Sequence, residues 1–444
     1  MTDTDPNRPT IDPGNETVIT FEAPRLVMGN GATEEIGSHL LRLGIRSTLI
    51  VTDPVVAGTG LPRKVQALLD AAGIEADCTE GATVEPTDAS CEALFRELSD
   101  RRVHSFVAVG GGSAIDTAKV LNLMVSYPDV PLHDYLNRPI GIGRSVPGPL
   151  KPLIAVPTTA GSGSECTAMV ALGLVEYKVK TGIADRALTP TLAIVDPLNT
   201  VTAPPAVTAA GGYDVLTHAC ESYTSRAYDR RVRPASPGER AIYIGANPIS
   251  DIWVEQALRL LGDYFVRAVL NPHDIEARVA MSRAAVYAGM GFGNAGTHIP
   301  HACAYPIAGL VTGYRPRDYV VDHSMVPHGE AVVATAPAAF EYTYPAAPER
   351  HLRAAELLGA STAGISIRSG HDLLPAVLAG LVRLTGGPAG ISSFGFESKD
   401  VPALVEGAVK QQRLLVGCPR DVGPDELRQI FDASMGAPAE GADR

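Results

Sequence analysis

From Thr17 to about Val201 the chain alternates short apolar runs with amphipathic stretches of helical period. Residues 47–53 (STLIVTD), 74–80 (IEADCTE), 104–112 (HSFVAVGGG), 153–159 (LIAVPTT) and 191–197 (TLAIVDP) read as buried strands. Between them, 61–73, 91–102 and 113–125 place apolar residues on one face of a helix. Strands separated by helices of this length predict a parallel sheet covered on both faces. The pattern changes at Thr202-Ala203-Pro204-Pro205. Beyond it the period is helical, over roughly 205–226, 250–270, 275–292, 298–311, 328–344, 347–359, 371–385 and 401–416, with loops at 386–400 and after Ala433. The expected organisation is a flexible tail over 1–16, an α/β domain over 17–203 and an all-α domain over 204–444.

Composition narrows the classes of partner. With 37 Lys and Arg against 49 Asp and Glu, the net charge of −12 argues against nucleic acid or an anionic membrane. No apolar run is long enough to span a bilayer. The six cysteines form no CxxC pair, so neither a zinc ribbon nor a disulfide framework is expected. The acidic, polar N-terminus lacks the apolar core of a signal peptide and the arginines of a transit peptide, which predicts a cytoplasmic location.

The chemistry-bearing residues are concentrated. Four of the eleven histidines, His298, His301, His323 and His328, lie between Gly289 and Val333. Upstream, Asp214 and His218 are four apart on a probable helix and so share a face. Asp214, His218, His301 and His328 together make an N₃O set for a divalent ion, for which Fe²⁺, Zn²⁺ and Mn²⁺ are all compatible. Taken singly, Asp214 and His218 read equally as a helical ion pair, and His328 as a helix cap. Tyr305 follows His301 by one turn; it faces the same side or is a half-buried core tyrosine. His298 and His323 are further candidates beside the metal or substrate.

Gly110-Gly111-Gly112-Ser113 sits where a strand passes into a helix, where backbone N–H groups can face a diphosphate. Because Ile115 stands where a third glycine is needed, this is not the G-x-G-x-x-G fingerprint. A tight turn capped by Ser113 with Asp116 is the alternative. Asp53, at the end of its strand, suits the ribose hydroxyls of NAD or a plain Asp-Pro turn. Thr158, Thr159 and Ser162 belong to a polar loop suited to facing a ligand, and Lys180 meets a phosphate or solvent.

These stretches coincide in one arrangement. GGGSAIDTAK (110–119), PTTAGSGSE (157–165), AIVDP (193–197), DVLTHACESY (214–223), NAGTHIPHACAYPIAG (294–309) and VPHGEAV (326–332) resemble, in order, the iron-containing (group III) alcohol dehydrogenases, from about residue 18 to the mid-430s. The resemblance implies a dehydroquinate-synthase-like α/β domain followed by a helical one, with the active site in the cleft between. It implies Asp214, His218, His301 and His328 as ligands of a catalytic metal, usually Fe²⁺. Gly111, Gly112, Ser113 and Asp116 would hold the diphosphate and nicotinamide side of NAD(H), Asp53 the ribose, and Thr158, Thr159, Ser162 and Lys180 the rest of the cofactor.

Many members carry histidine where this chain has Tyr305, and a shorter gap between the third and fourth ligands. Residues 291–310, the segment through 312–329 and 348–360 are instead similar to the branch that passes a hydride from 4-hydroxybutyrate to 2-oxoglutarate without free nicotinamide. Tyr305 and His323 are then expected to relay the proton, and Arg315 and Arg317 to bind the substrate carboxylate. The substrates are small hydroxyacids and oxoacids, and the expected assembly is a homodimer. An ordinary NAD-dependent dehydrogenase that exchanges its cofactor, a silent nucleotide-binding regulator and a metal-assisted lyase are the competing readings.

Overall fold

A computed structural model describes residues 14–98, 101–177 and 179–436. Most of the tail expected over 1–16 lies outside the described residues. Six strands form one all-parallel sheet in the order β1-β8-β5-β4-β2-β3: β1 (Arg25–Met28), β2 (Ser47–Val51), β3 (Glu75–Thr79), β4 (Phe106–Gly110), β5 (Leu153–Pro157) and β8 (Leu192–Val195). Successive side chains on a strand point to opposite faces, and both faces of this sheet are covered. Val107 and Val109 of β4 join Ile50, Ile154 and Val156 on one face, while Phe106 and Ala108 join Leu49, Val51, Leu153 and Ala155 on the other. That is why the central strands are continuously apolar rather than alternating.

An antiparallel pair, β6 (Met169–Leu174) and β7 (Val179–Ala184), and the edge strand β1 are elements that the periodicity does not single out. After Pro205 the regular elements among the described residues are all helices, and the structure adds one, Pro424–Ala433, to those expected. The stretch expected as one helix over 328–344 is two, His328–Val333 and Ala336–Thr343; the one over 401–416 is likewise two, Val401–Val409 and Gln412–Leu415. Pro337 explains the first break, since proline has no N–H to continue a helix and fits its first turn. No helix among the described residues is long and apolar enough to cross a membrane.

Helix Pro205–Thr224 is the axis of this part. Every residue from Gly212 to Thr224 is buried. Its apolar positions, with Tyr213 edge-on to Phe265, build one core with Pro248–Leu270 and Ile275–Ala295. Asp214, His218 and Glu221, at i, i+4 and i+7, form a polar stripe on the same buried helix. Buried polar side chains must be paired, so this stripe demands partners.

Lys119 fastens the loop after β5 to helix Gly112–Ser126. It is fully buried, and its Nζ donates to Ser164 O (2.7 Å), Ser164 Oγ (3.1 Å), Thr167 O (2.9 Å) and Met169 O (2.9 Å). Burial pushes its pKa down to about 8, with the nearby Asp116 carboxylate opposing. Replacing Lys119 by Met leaves these acceptors and Asp116 without their cation. The expected loss is about 3–5 kcal/mol, read as a lower midpoint in denaturant unfolding.

Candidate functional site

The strand β4 ends at Gly110, and helix Gly112–Ser126 begins with no side chain capping it. The turn is packed too closely for side chains: a Cβ on Gly112 would lie 2.5 Å from Ser162 Oγ. Together the turn and the loop after β5 wall a cleft of about 300 Å³. Gly111, Gly112, Ser113, Asp116, Thr158, Thr159, Ser162, Lys180 and Asp53 all line it. A bare helix N-terminus facing such a cleft offers N–H donors and a favourable dipole to an anion.

Several of these residues have further duties. Asp53 caps helix Pro54–Gly58, its Oδ1 accepting from Val55 N (2.9 Å) and Val56 N (3.0 Å). Ser113 and Asp116 do not form the capping box of the alternative reading. Ser113 Oγ accepts from Glu85 N (3.1 Å), and Asp116 accepts from Ser164 Oγ and from Ala171 N (2.9 Å). Burial raises the Asp116 pKa, with Lys119 opposing. Lys180 is neither free nor in solvent: its Nζ pairs with Glu85 Oε1 at 2.9 Å. Burial works to lower the Lys180 pKa, but Glu85 outweighs it and holds the ammonium charged.

The polar stripe on helix Pro205–Thr224, which carries His218, meets two further imidazoles at one end of this cleft. Asp214 Oδ1 lies 3.5 Å from His218 Nε2, 3.5 Å from His301 Nε2 and 3.9 Å from His328 Nε2. Asp214, His218 and His301 are all buried, with one ligand atom from each lying within 4.8 Å of the others. His328 sits at the edge of this group, and a glycine brings it there. A Cβ on Gly329 would lie 1.8 Å from Ala210 O, so only glycine lets this helix rest on Pro205–Thr224.

The donor set fits a divalent cation. Asp214 Oδ1 and His301 Nε2 are buried without a hydrogen-bond partner. An orphaned buried polar atom costs about 1–3 kcal/mol, so two facing one another need a common partner. Ligand distances of about 2.0–2.2 Å place neighbouring donors roughly 3.4 Å apart in a tetrahedral site, close to the spacings seen here. Protonation agrees. Burial pushes His218 down to about 4 and His328 down to about 3, leaving neutral imidazoles. Burial alone would raise the Asp214 pKa, but His218 and the other imidazoles outweigh it and hold the carboxylate ionised.

Glu221 orients the third imidazole. It is fully buried; one oxygen accepts from His298 N (2.8 Å) and His301 N (3.3 Å), and the other accepts the His301 Nδ1 proton. One carboxylate therefore caps helix Ile299–Leu310 from a neighbouring helix and turns His301 Nε2 toward Asp214. Burial opposes a charge on His301, yet Glu221 and Asp214 lift its pKa to about 9. His218 is fixed by stacking on Phe292, with ring centres 3.7 Å apart. Glu221 and Lys119 were both missed as functional residues. The i, i+4, i+7 run of Asp214, His218 and Glu221 is the signal that points to the first.

A second cavity, of about 80 Å³, adjoins the cleft and shares Asp116, Ser162, Ala171, Asp214 and His328 with it. Tyr305 lines this cavity, its ring centre 6.3 Å from that of His328. Other expected residues lie elsewhere. His323 is exposed and bonded to Asp322 (3.1 Å), outside both cavities, so it is not placed to relay a proton. His298 is buried against Thr224 and Phe340. Arg315 donates to Val321 O (3.2 Å) and Asp322 O (2.8 Å), closing its own loop, and the Arg317 side chain is 81% exposed. Neither arginine reaches the cavity, which corrects the expectation that they bind a carboxylate.

Two family descriptions match the chain: iron-containing alcohol dehydrogenase over residues 23–197, and the C-terminal part of the Fe-containing alcohol dehydrogenase family over 239–435. The chain is 45% identical over 408 residues to the mitochondrial hydroxyacid-oxoacid transhydrogenase of Xenopus laevis, covering 92% of this chain and 88% of that protein. Among solved structures, 1,3-propanediol oxidoreductase superposes with a TM-score of 0.82 at 29% identity, covering 94% of this chain and 100% of the other. Sulfoacetaldehyde reductase from Bifidobacterium kashiwanohense, in complex with NAD+, superposes at 0.76 with 25% identity, covering 95% and 99%. The expected cytoplasmic location is overturned, because transhydrogenase relatives from several animals are named as mitochondrial.

If Glu221 sets the His301 ring, Glu221→Gln weakens divalent-metal affinity by about 10–100-fold. Chelator competition on the purified protein, followed by metal analysis, checks this. Retention equal to that of the unaltered protein removes the role.

Proposed function

The chain belongs to the iron-containing alcohol dehydrogenase family, and from that premise we propose that it is a hydroxyacid-oxoacid transhydrogenase. In this reading a hydride passes from 4-hydroxybutyrate to a bound nicotinamide and on to 2-oxoglutarate, giving succinic semialdehyde and 2-hydroxyglutarate. Both half-reactions are two-electron transfers between alcohol and carbonyl, so the pair balances without external oxidant. The observation that carries the reading is the position of the Asp214 cluster. It stands where the triple-glycine cleft meets a smaller cavity of a size for a short acid.

Asp214, His218, His301 and His328 are the residues that would hold the ion, with Fe²⁺ implied by the family and Zn²⁺ or Mn²⁺ compatible with the donors. When bound, the ion supplies Lewis-acid polarisation of an alcohol or carbonyl oxygen, and NAD(H) supplies the hydride acceptor and donor. The rest falls to the chain's own side chains. Gly111 and Gly112 would leave room for the diphosphate, and Asp53 would accept from the ribose hydroxyls. Thr158, Thr159 and Ser162 form the facing wall. Lys180, held by Glu85, adds positive potential near the Asp214 cluster. Tyr305, which lines the smaller cavity, would hold a proton at the substrate oxygen. The buried walls around the cluster exclude water, which strengthens each of these interactions.

The long segment between the third and fourth proposed ligands supports retention of the cofactor. Asp318, Tyr319, Val320 and Met325, all from that segment, line the cleft. Tyr319 is half-buried there, and desolvation pushes its hydroxyl pKa well above the ordinary value. Retained cofactor is what a transhydrogenase needs, since the hydride must wait for the second substrate. The homodimer remains part of this reading, and light scattering on the purified protein checks it.

Incubation with 4-hydroxybutyrate and 2-oxoglutarate, without added NAD, is expected to yield 2-hydroxyglutarate. Product that forms only after NAD is supplied would favour a dehydrogenase that exchanges its cofactor. Asp53→Ala should weaken NAD binding by about 10-fold or more through loss of charged hydrogen bonds. Cofactor released on denaturing the variant measures this, and undiminished retention would remove Asp53 from the site.

A further inference from the structure

We infer that Arg413 binds the carboxylate of the substrates and so sets the preference for acids over uncharged alcohols. This rests on the transhydrogenase reading and names the recognition group that the reading still lacks. Both proposed substrates carry a carboxylate, and a carboxylate leaving water for a buried cavity needs a cation there.

The residues lining the cleft and the smaller cavity include two permanent cations, Lys180 and Arg413. Lys180 is already paired with Glu85. Arg413 forms no ion pair among the described residues; it meets the Tyr243 hydroxyl, but its Nη1 is buried without a hydrogen-bond partner. The acids in the same cavity are committed: Asp116 to Ser164 and Ala171, and Asp214 to the imidazoles. An orphaned, charged donor in a cavity is the feature that an incoming anion would satisfy.

The local structure holds the guanidinium still. Arg413 sits on the short helix Gln412–Leu415, where its guanidinium carbon lies 5.2 Å from the centre of the Tyr243 ring. Tyr243 lines the same cavity, so the planar fork rests against an aromatic wall. A guanidinium fixed in this way suits two parallel hydrogen bonds to a carboxylate. Leu414 and Phe292 supply apolar lining for the methylenes between carboxylate and hydroxyl.

The test compares Arg413→Met and Arg413→Lys with the unaltered, metal-loaded enzyme. Turnover is followed with 4-hydroxybutyrate and with butan-1-ol, which lacks the carboxylate, and butyrate serves as a competitive probe. In Arg413→Met the ratio of kcat/KM for the acid to that for the alcohol should fall on the order of 100-fold, chiefly through KM. Butyrate inhibition should weaken in parallel, and Arg413→Lys should recover part of the ratio. Equal losses on acid and alcohol would mean a structural role and overturn the inference, as would an unchanged ratio. If the unaltered enzyme uses the acid only with added NAD, the transhydrogenase reading fails, while the ratio still decides on Arg413.

Discussion

One buried carboxylate governs the geometry of the centre. Glu221 is cut off from water, and burial alone would neutralise it. Two backbone N–H groups at the start of helix Ile299–Leu310 and the His301 ring proton keep it ionised instead. The same donors that stabilise the charge fix the helix and the imidazole relative to Pro205–Thr224. Removing the charge would loosen a helix terminus and a metal-facing ring together, so fold and site share one interaction. A salt bridge between exposed side chains could not serve, since solvent would screen it and either partner could rotate away.

Close backbone approach does the complementary work. Gly329 lets the His328 helix lie on Ala210, and Gly112 lets helix Gly112–Ser126 start against Ser162. Each contact brings a polar element to the end of β4 and β5, where ligands collect in open parallel sheets. Lys119 ties the loop after β5 to the helix after β4, so the two walls of the cleft are coupled through one buried ammonium. The cleft is therefore a product of packing that holds before any ligand arrives, which lowers the ordering cost of binding.

Much of this could be read from the amino-acid order, for reasons that differ between elements. The parallel sheet was legible because two-sided burial makes its strands continuously apolar and separates them by helices. Asp214 and His218 were legible because four residues on a helix is a geometric statement. β6 and β7 were not, since their pairing depends on what covers each face rather than on strong propensity. Helix Pro424–Ala433 went unread although Pro424 at its first position and the acidic Asp425 and Glu426 in its first turn mark its start. The continuity expected over 328–344 failed at Pro337, which the apolar period ignored. Ser113 and Asp116 carried a sound capping pattern, yet Glu85, Ser164 and Ala171 claimed both side chains from far away in the chain.

The arginines show where such reading stops. Arg315 and Arg317 drew attention because they lie in the segment between two proposed ligands, but nearness along the chain says nothing about direction. In the fold Arg315 meets backbone carbonyls, and Arg317 meets solvent and the Asp318 carboxylate. Arg413 lies 85 residues beyond His328 in number, on a helix of four residues that no period could single out. What distinguishes it is a missing partner, and partners are a property of the packed molecule. A search for substrate-binding charge is therefore a search for the cation that the protein itself leaves unanswered.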